Sequence, residues 1–199
     1  LENLDMSSMY PKKIEVYGKS PQGKYQLLES MAIAVQPELD ERISYFKDFT
    51  LSVDLKGYEA IDLCGTGGDG KDTFNISTLA SFVTAGAGVN VAKHGNYGVS
   101  SACGSSNVME HLGVKFTSDK GFLKRSLDEA GICVLHAPLF HPAMKNVAPI
   151  RRELGVKTFF NMLGPMVNPS FPKHQLVGVF NLELLRMYGY LYQNTDKNY

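Results

Sequence analysis

Two stretches of this chain hold residue types suited to binding phosphate. The first, CGTGGDG at 64–70, follows the apolar run AIDL and sets Gly65, Gly67 and Gly70 in a G-x-G-x-x-G string. After a strand, that string suits a dinucleotide pyrophosphate or some other phosphate held by glycine backbone. A dinucleotide fold also needs an acid about 20 positions further on, at the end of the next strand, to hold the ribose hydroxyls. Here the next apolar run, VNVAK at 89–93, ends in Lys93, and no Asp or Glu occurs between Asp72 and Glu110. A cation stands where the cofactor requires an anion, so the dinucleotide reading fails its own test.

A highly phosphorylated substrate fits better. The glycine turn is followed by TFNIST at 73–78, which adds hydroxyls, an amide and a helix start whose free N–H groups and dipole favour phosphate. The second stretch, KHGNYGVSSACGSS at 93–106, supplies a lysine, glycines, serines and another helix start. Two loops of this kind, each after a strand, suit the two ends of a diphosphate, and each charge-assisted bond contributes about 1.5–3 kcal/mol.

Other chemistries lack their signatures. No G-x-S-x-G occurs, and His94, His111, His136, His141 and His174 show no close zinc-ligand spacing. His94 and His141 sit in glycine- or proline-marked loops beside the supposed site, while His111 reads as an ordinary helix residue. Cys64, Cys103 and Cys133 stand far apart without C-x-x-C, which predicts reduced, buried thiols in a cytoplasmic protein. Twenty basic residues balance 20 acidic ones, which argues against a nucleic-acid partner. The start LENLDMSSMYPKK has no basic segment leading into an apolar core, and no run is long enough to span a bilayer. Neither a secretory signal nor a membrane partner is expected.

The elements that must position these loops follow from periodicity. Strands are expected at AIDLC, VNVAK, ICVLHAP, KTFFN and QLVGVF. Helices are expected over 75–88 (capped by Asn75 or Ser77), 105–113, 118–131 (capped by Ser118), 141–155 with a break near Pro149, and 182 to about 192. The aromatic residues of that last helix are spaced as a core face. Alternation of this kind predicts an α/β fold with a mainly parallel central sheet flanked by helices. Before it, YQLLESMAIAV at 25–35 and ERISYFKDF at 41–49 read as short helices, which predicts a small helical region and linker over 1–55 ahead of an α/β domain over 56–199.

GTGGDGKDTFNIST, KHGN with its serines, HPAMKNVAPIRRELGVKTFFNMLGPMVNP and QLVGVF, in this order, resemble the anthranilate phosphoribosyltransferases of tryptophan biosynthesis. The resemblance runs from about Asp54 to the last residue. It implies transfer of the phosphoribosyl group of 5-phosphoribosyl-1-diphosphate to the amine of anthranilate, giving N-(5-phosphoribosyl)anthranilate and diphosphate, with Mg2+. It further implies that Gly65, Gly68, Asp69, Thr73, Asn75, Ile76, Ser77 and Thr78 contact the phosphoribosyl diphosphate, Ser77 also binding magnesium. Lys93, His94, Gly95, Asn96, Ser100, Ser101 and Ser105 would form the second phosphate loop. Gly65, Asn96 and Arg151 would hold anthranilate, with His94, His141 and Pro165 lining the same path. No acid or base is implied, because the amine is already a nucleophile.

The chain departs from the family pattern in three places. Tyr97 stands after KHGN, where the family usually has arginine. The family chain runs beyond residue 199 and carries there an Asp-Glu pair that binds magnesium, so the carboxyl-terminal part of the fold is expected to be missing. The first 50 or so residues match only loosely the helical region that usually makes a homodimer. Two competing classes are a pyrimidine-nucleoside phosphorylase-like enzyme, disfavoured by the 141–169 stretch, and a non-catalytic nucleic-acid-binding relative, disfavoured by the charge balance.

Overall fold

The computed structural model describes residues 14–19, 25–31, 43–44, 46–68, 70–71, 73–98, 103–145, 153, 160–193 and 195–199. The chain divides into two units, Leu1–Tyr45 and Phe46–Tyr199. In the first, strand β1 (Ile14–Lys19) pairs antiparallel with β2 (Tyr25–Met31), with Ile14 opposite Met31 and Lys19 opposite Tyr25. The helix expected from residue 25 is therefore a strand as far as Met31. A short apolar window does not separate the two periods, and the β-branched and aromatic residues of its partner, Ile14, Val16 and Tyr17, favour pairing.

The second unit begins earlier than the expected boundary at 55/56. Leu51 N–H donates to Phe140 O and Val53 N–H to Pro169 O, both at 2.9 Å. Val53 and Leu55 join the main core cluster with Ala92, Leu123, Leu127, Cys133, Leu135 and Phe140. The segment read as a linker is thus fixed by both apolar burial and backbone bonds.

This unit is built on four parallel strands: β3 (Ile61–Gly65), β4 (Val91–Gly95), β5 (Ile132–His136) and β6 (His174–Gly178), in the spatial order β5-β4-β3-β6. The central β4 is buried at four of its five positions, and β3 and β5 at three each, as expected of parallel strands covered by helices. Helix α1 (Ile76–Gly86) follows β3, α2 (Ser105–His111) follows β4, and α3 (Lys120–Ala130) precedes β5. The short α4 (Ala137–Phe140) and α5 (Phe160–Leu163) come next, then a 3-10 turn at Gly164–Val167, and α6 (Leu182–Gln193) after β6.

Local signals explain most boundaries. Helix α3 buries Leu123 and Leu127 at i, i+4 and ends on Gly131 at φ 66°. Its cap is Asp119, whose carboxylate accepts the Phe122 N–H at 2.5 Å, and not the neighbouring Ser118. Helix α6 buries Leu184, Tyr188, Leu191 and Tyr192, the expected core face, although Tyr190 points outward. Phe160 and Asn161, expected to end a strand, lie in α5. Most of the 141–155 helix falls outside the described residues. Helix α1 buries the small Thr78 and Ser81, whereas its apolar Leu79, Phe82 and Val83 are exposed.

Candidate active site

The carboxyl ends of β3, β4 and β6 bring the two glycine-rich loops together. After Gly65, the Thr66 N–H donates to Gly178 O at the end of β6 (2.9 Å), which pins the first loop to the sheet. Gly67, Gly68 and Gly70 then take positive φ angles of 65°, 79° and 66°, conformations that side chains resist. The loop leads to Asn75, which caps α1 through its carbonyl, accepting the Thr78 and Leu79 N–H groups at 3.0 Å. The amides of Ile76 and Ser77 have no carbonyl one turn earlier within the helix, as at any helix start.

The second loop leaves β4 at Gly95. Asn96 O accepts the Ser106 N–H (3.1 Å) and the Ser105 hydroxyl (3.4 Å), and Asn107 Oδ1 accepts the N–H groups of Gly98 (3.1 Å) and Gly104 (2.9 Å). These bonds fold the loop back onto the start of α2. The loops touch where Asn75 Nδ2 donates to Cys103 Sγ at 3.7 Å. Cys103 is exposed, unlike the buried Cys64 and Cys133, so the expectation of three buried thiols fails at this loop position.

Beneath the loops lies a buried polar layer. Lys93 is 1% exposed, and its ammonium donates to Leu63 O (2.8 Å) and reaches Ser77 Oγ (3.5 Å). The cation therefore sits under the start of α1 rather than in the second loop. Burial pulls its pKa below the usual lysine range, and the nearby Asp62 carboxyl pulls it back up. Asp62 is fully buried, accepting the His94 N–H and the Gln175 side-chain amide, each at 3.1 Å, and burial raises its pKa. Gln175 in turn accepts the Tyr192 hydroxyl (2.7 Å) and donates to Pro165 O. Asp62, Gln175 and Tyr192 escaped the sequence reading, although a lone acid inside the apolar run AIDLC was a visible signal.

His94 and His141 meet edge-on, with ring centroids 5.1 Å apart and Nε2 atoms 3.2 Å apart. His94 Nδ1 lies 3.0 Å from Gly164 O and His141 Nδ1 lies 3.1 Å from Thr50 Oγ1. Burial pushes the His94 pKa down to about 4 and that of His141 to about 3, so both rings are neutral at pH 7. The Gly164 carbonyl can only accept, which assigns one proton to His94 Nδ1 and one to His141 Nε2, directed at His94 Nε2.

Of the residues singled out in the sequence, Gly65, Gly68, Asn75, Ile76, Ser77, Lys93, Gly95, Asn96 and Ser105 gather at these loop ends, and Thr73 lies in the first loop. Thr78 is buried at 2% exposure and its hydroxyl has no hydrogen-bond partner. Asp69, Ser100, Ser101 and Arg151 lie outside the described residues. Among the described residues, no cluster of three or more His, Cys, Asp or Glu could hold a metal. The Ser77 hydroxyl, at the start of α1, is an oxygen donor of the kind magnesium accepts.

Comparison with known proteins agrees with this arrangement. Residues 57–197 match the model of the glycosyl transferase family, a/b domain. The anthranilate phosphoribosyltransferase of Christiangramia forsetii is 74% identical over 163 residues, which cover 80% of this chain and 49% of that protein. That of Flavobacterium psychrophilum is 79% identical over 152 residues, 76% of this chain and 46% of that protein. The chain thus spans about half the length of the curated relatives it matches. Among solved structures, the anthranilate phosphoribosyltransferase of Thermus thermophilus superposes with a TM-score of 0.73 at 39% identity, covering 79% of this chain and 48% of that one. The Saccharomyces cerevisiae enzyme in complex with PRPP and Mg gives 0.70 at 33% identity, covering 78% and 44%. The strand order, the paired glycine loops and the family match over 57–197 together establish that the chain belongs to the glycosyl transferase family with this a/b domain.

Proposed function

We propose that the protein transfers the phosphoribosyl group of 5-phosphoribosyl-1-diphosphate to the amine of anthranilate in tryptophan biosynthesis. The observation that carries this reading is the meeting of the two loops at Asn75 and Cys103 above a buried ammonium at the start of α1. Such a site is shaped for a ligand with phosphate at both ends and offers positive potential where a diphosphate departs.

In the reaction, the anthranilate nitrogen forms a bond to ribose C1. The bond from C1 to the diphosphate oxygen breaks with its electron pair, and the amine proton passes to water. Gly65, Gly68, Asp69, Thr73, Asn75, Ile76, Ser77 and Thr78 bind the phosphoribosyl diphosphate from the first loop. Lys93, His94, Gly95, Asn96, Ser100, Ser101 and Ser105 complete its pocket. Lys93 acts through Ser77 and the loop floor, holding positive charge close to the departing oxygens without occupying the cavity. Asn96 and Arg151 orient anthranilate, the guanidinium matching its carboxylate with two parallel donors. Magnesium, held by Ser77 and the diphosphate, would neutralise charge on the leaving group. Positioning the amine against C1 supplies much of the remaining acceleration, so no protein base is needed.

The family reading also carries a cytoplasmic location and a homodimer, the latter to be settled by the sedimentation of the full-length protein. The activity test is the loss of anthranilate fluorescence when phosphoribosyl diphosphate and Mg2+ are added to the full-length protein. Turnover is expected, and an unchanged signal, with thymidine and phosphate converted instead, would move the protein to the nucleoside phosphorylases.

A further inference from the structure

The second loop carries an aromatic cluster that the reaction does not use. Tyr97 follows Asn96 at the loop turn, and its ring stands edge-on to His136, with centroids 4.9 Å apart at 78°. Phe116 stacks on the face of the imidazole at 4.2 Å and 14° and itself meets Tyr97 edge-on, with centroids 6.5 Å apart. His136 ends β5 directly beside Gly95, the last residue of β4. Its Nδ1 lies 2.8 Å from the Ser106 hydroxyl, and the Ser106 N–H donates to Asn96 O. The Tyr97 hydroxyl reaches Glu110 Oε1 on α2 at 3.4 Å. His136 is 5% exposed and Tyr97 is 38% exposed, so the cluster runs from the core to the surface along one side of the loop.

We propose that Tyr97, Phe116 and His136 form an aromatic latch that holds the Asn96–Gly98 turn against Gly104–Ser106 at the start of α2, in the shape that receives a ligand. Tyr97 and His136 are thus positioning residues for the loop. The imidazole is the hub: one ring face holds Phe116, one edge meets Tyr97, and one nitrogen fixes the serine whose amide holds Asn96. The turn also has little slack, because a Cβ on Gly104 would lie against the backbone of Asn96, Tyr97 and Gly98. Removing the Tyr97 ring frees the turn on its outer side, and removing the imidazole frees it on its inner side. The turn is held by ring packing and neutral hydrogen bonds, so its order is insensitive to salt, unlike a loop pinned by surface charge.

The effect on substrate binding rests on the transferase reading, whereas the effect on the loop does not. Hydrogen exchange therefore serves as the first measurement, followed amide by amide in the full-length protein. Tyr97→Ala is expected to speed exchange at Gly98, Gly104 and Ser106 by on the order of tenfold, with β3 and β4 amides unchanged and high salt without effect. Tyr97→Phe keeps the ring and is expected to exchange as the wild type does. Steady-state kinetics then read the consequence: KM for phosphoribosyl diphosphate and anthranilate rises by about tenfold in Tyr97→Ala while kcat changes less, as expected for lost pre-organisation. Unchanged exchange at the three amides in Tyr97→Ala overturns the latch, as does a Tyr97→Phe variant as fast as Tyr97→Ala. Should His136→Ala fail to fold, the half-exposed Tyr97 still provides the test. Faster loop exchange in a protein that turns over no anthranilate supports the latch and removes the transferase reading alone.

Discussion

At the scale of single residues, Lys93 serves both the core and the candidate site. Its ammonium is almost wholly buried, with the Leu63 carbonyl and the Ser77 hydroxyl as partners. Replacing a whole buried ion pair by apolar residues is often neutral, but removing one partner strands the other, here the buried Asp62 carboxyl, whose pKa burial raises and the Lys93 charge holds down. The place of Lys93 under the start of α1 points to a further role in the bound state, where a cation near departing phosphate oxygens is worth most in a low-dielectric site. Lys93→Met keeps the stem and removes the charge. Chemical unfolding is expected to show a loss of about 1–3 kcal/mol, because Leu63 O loses its donor and the Asp62 carboxyl its nearby cation, while the dissociation constant for phosphoribosyl diphosphate, followed by calorimetry, rises by at least about tenfold. Loss of stability with unchanged affinity would reverse the assignment and make Lys93 a structural partner of Asp62.

At the scale of elements, the second loop depends on a close backbone approach. Gly104 precedes α2, and a Cβ there would sit 2.7 Å from Asn96 O, against rigid main chain rather than a movable side chain. Gly104→Ala must push the turn open, at a cost of about 1–3 kcal/mol read by urea unfolding, together with faster exchange of the Ser106 amide. A variant as stable as the wild type would mean that the turn is looser than its bonds to Asn96 and Asn107 imply. The loops were legible in the sequence because glycine, serine and helix caps act over a few residues. β3, β4, β5 and β6 were legible because each is a short apolar run between turn residues. Strand β2 was missed because its state depends on pairing with the neighbouring β1 rather than on its own period. The other failures share a different cause, a deciding partner far away in sequence: residues 46–55 owe their state to Phe140 and Pro169. Lys93 was found as a cation, but its inward direction depends on Leu63 and Ser77. The His94–His141 pair, 47 residues apart, left no local trace.

At the scale of the whole molecule, the buried ionisable groups set how stability responds to acid. His94 and His141 take up their protons at about pH 4 and about pH 3, against 6.5 for a free imidazole, and burial also lowers the His136 pKa. Between those values the unfolded chain binds protons that the native fold refuses. The stability owed to neutral imidazoles is therefore complete above about pH 6.5 and is lost as pH falls toward about 4, at about 1.4 kcal/mol per pH unit for each proton withheld. Asp62 works against this trend: its carboxyl is raised above 3.8 by burial, so the native fold holds that proton longer than the unfolded chain. Three imidazoles outweigh one carboxyl, and the net stability should fall on acidification. Urea midpoints measured from pH 7.5 down to about pH 4.5 are expected to decline steadily. In His141→Gln the decline should be shallower, because one withheld proton is gone, even where the variant is less stable at pH 7. A wild-type profile that is flat, or that rises toward acid, would mean that Asp62 dominates and that the histidine pair is hydrated rather than buried.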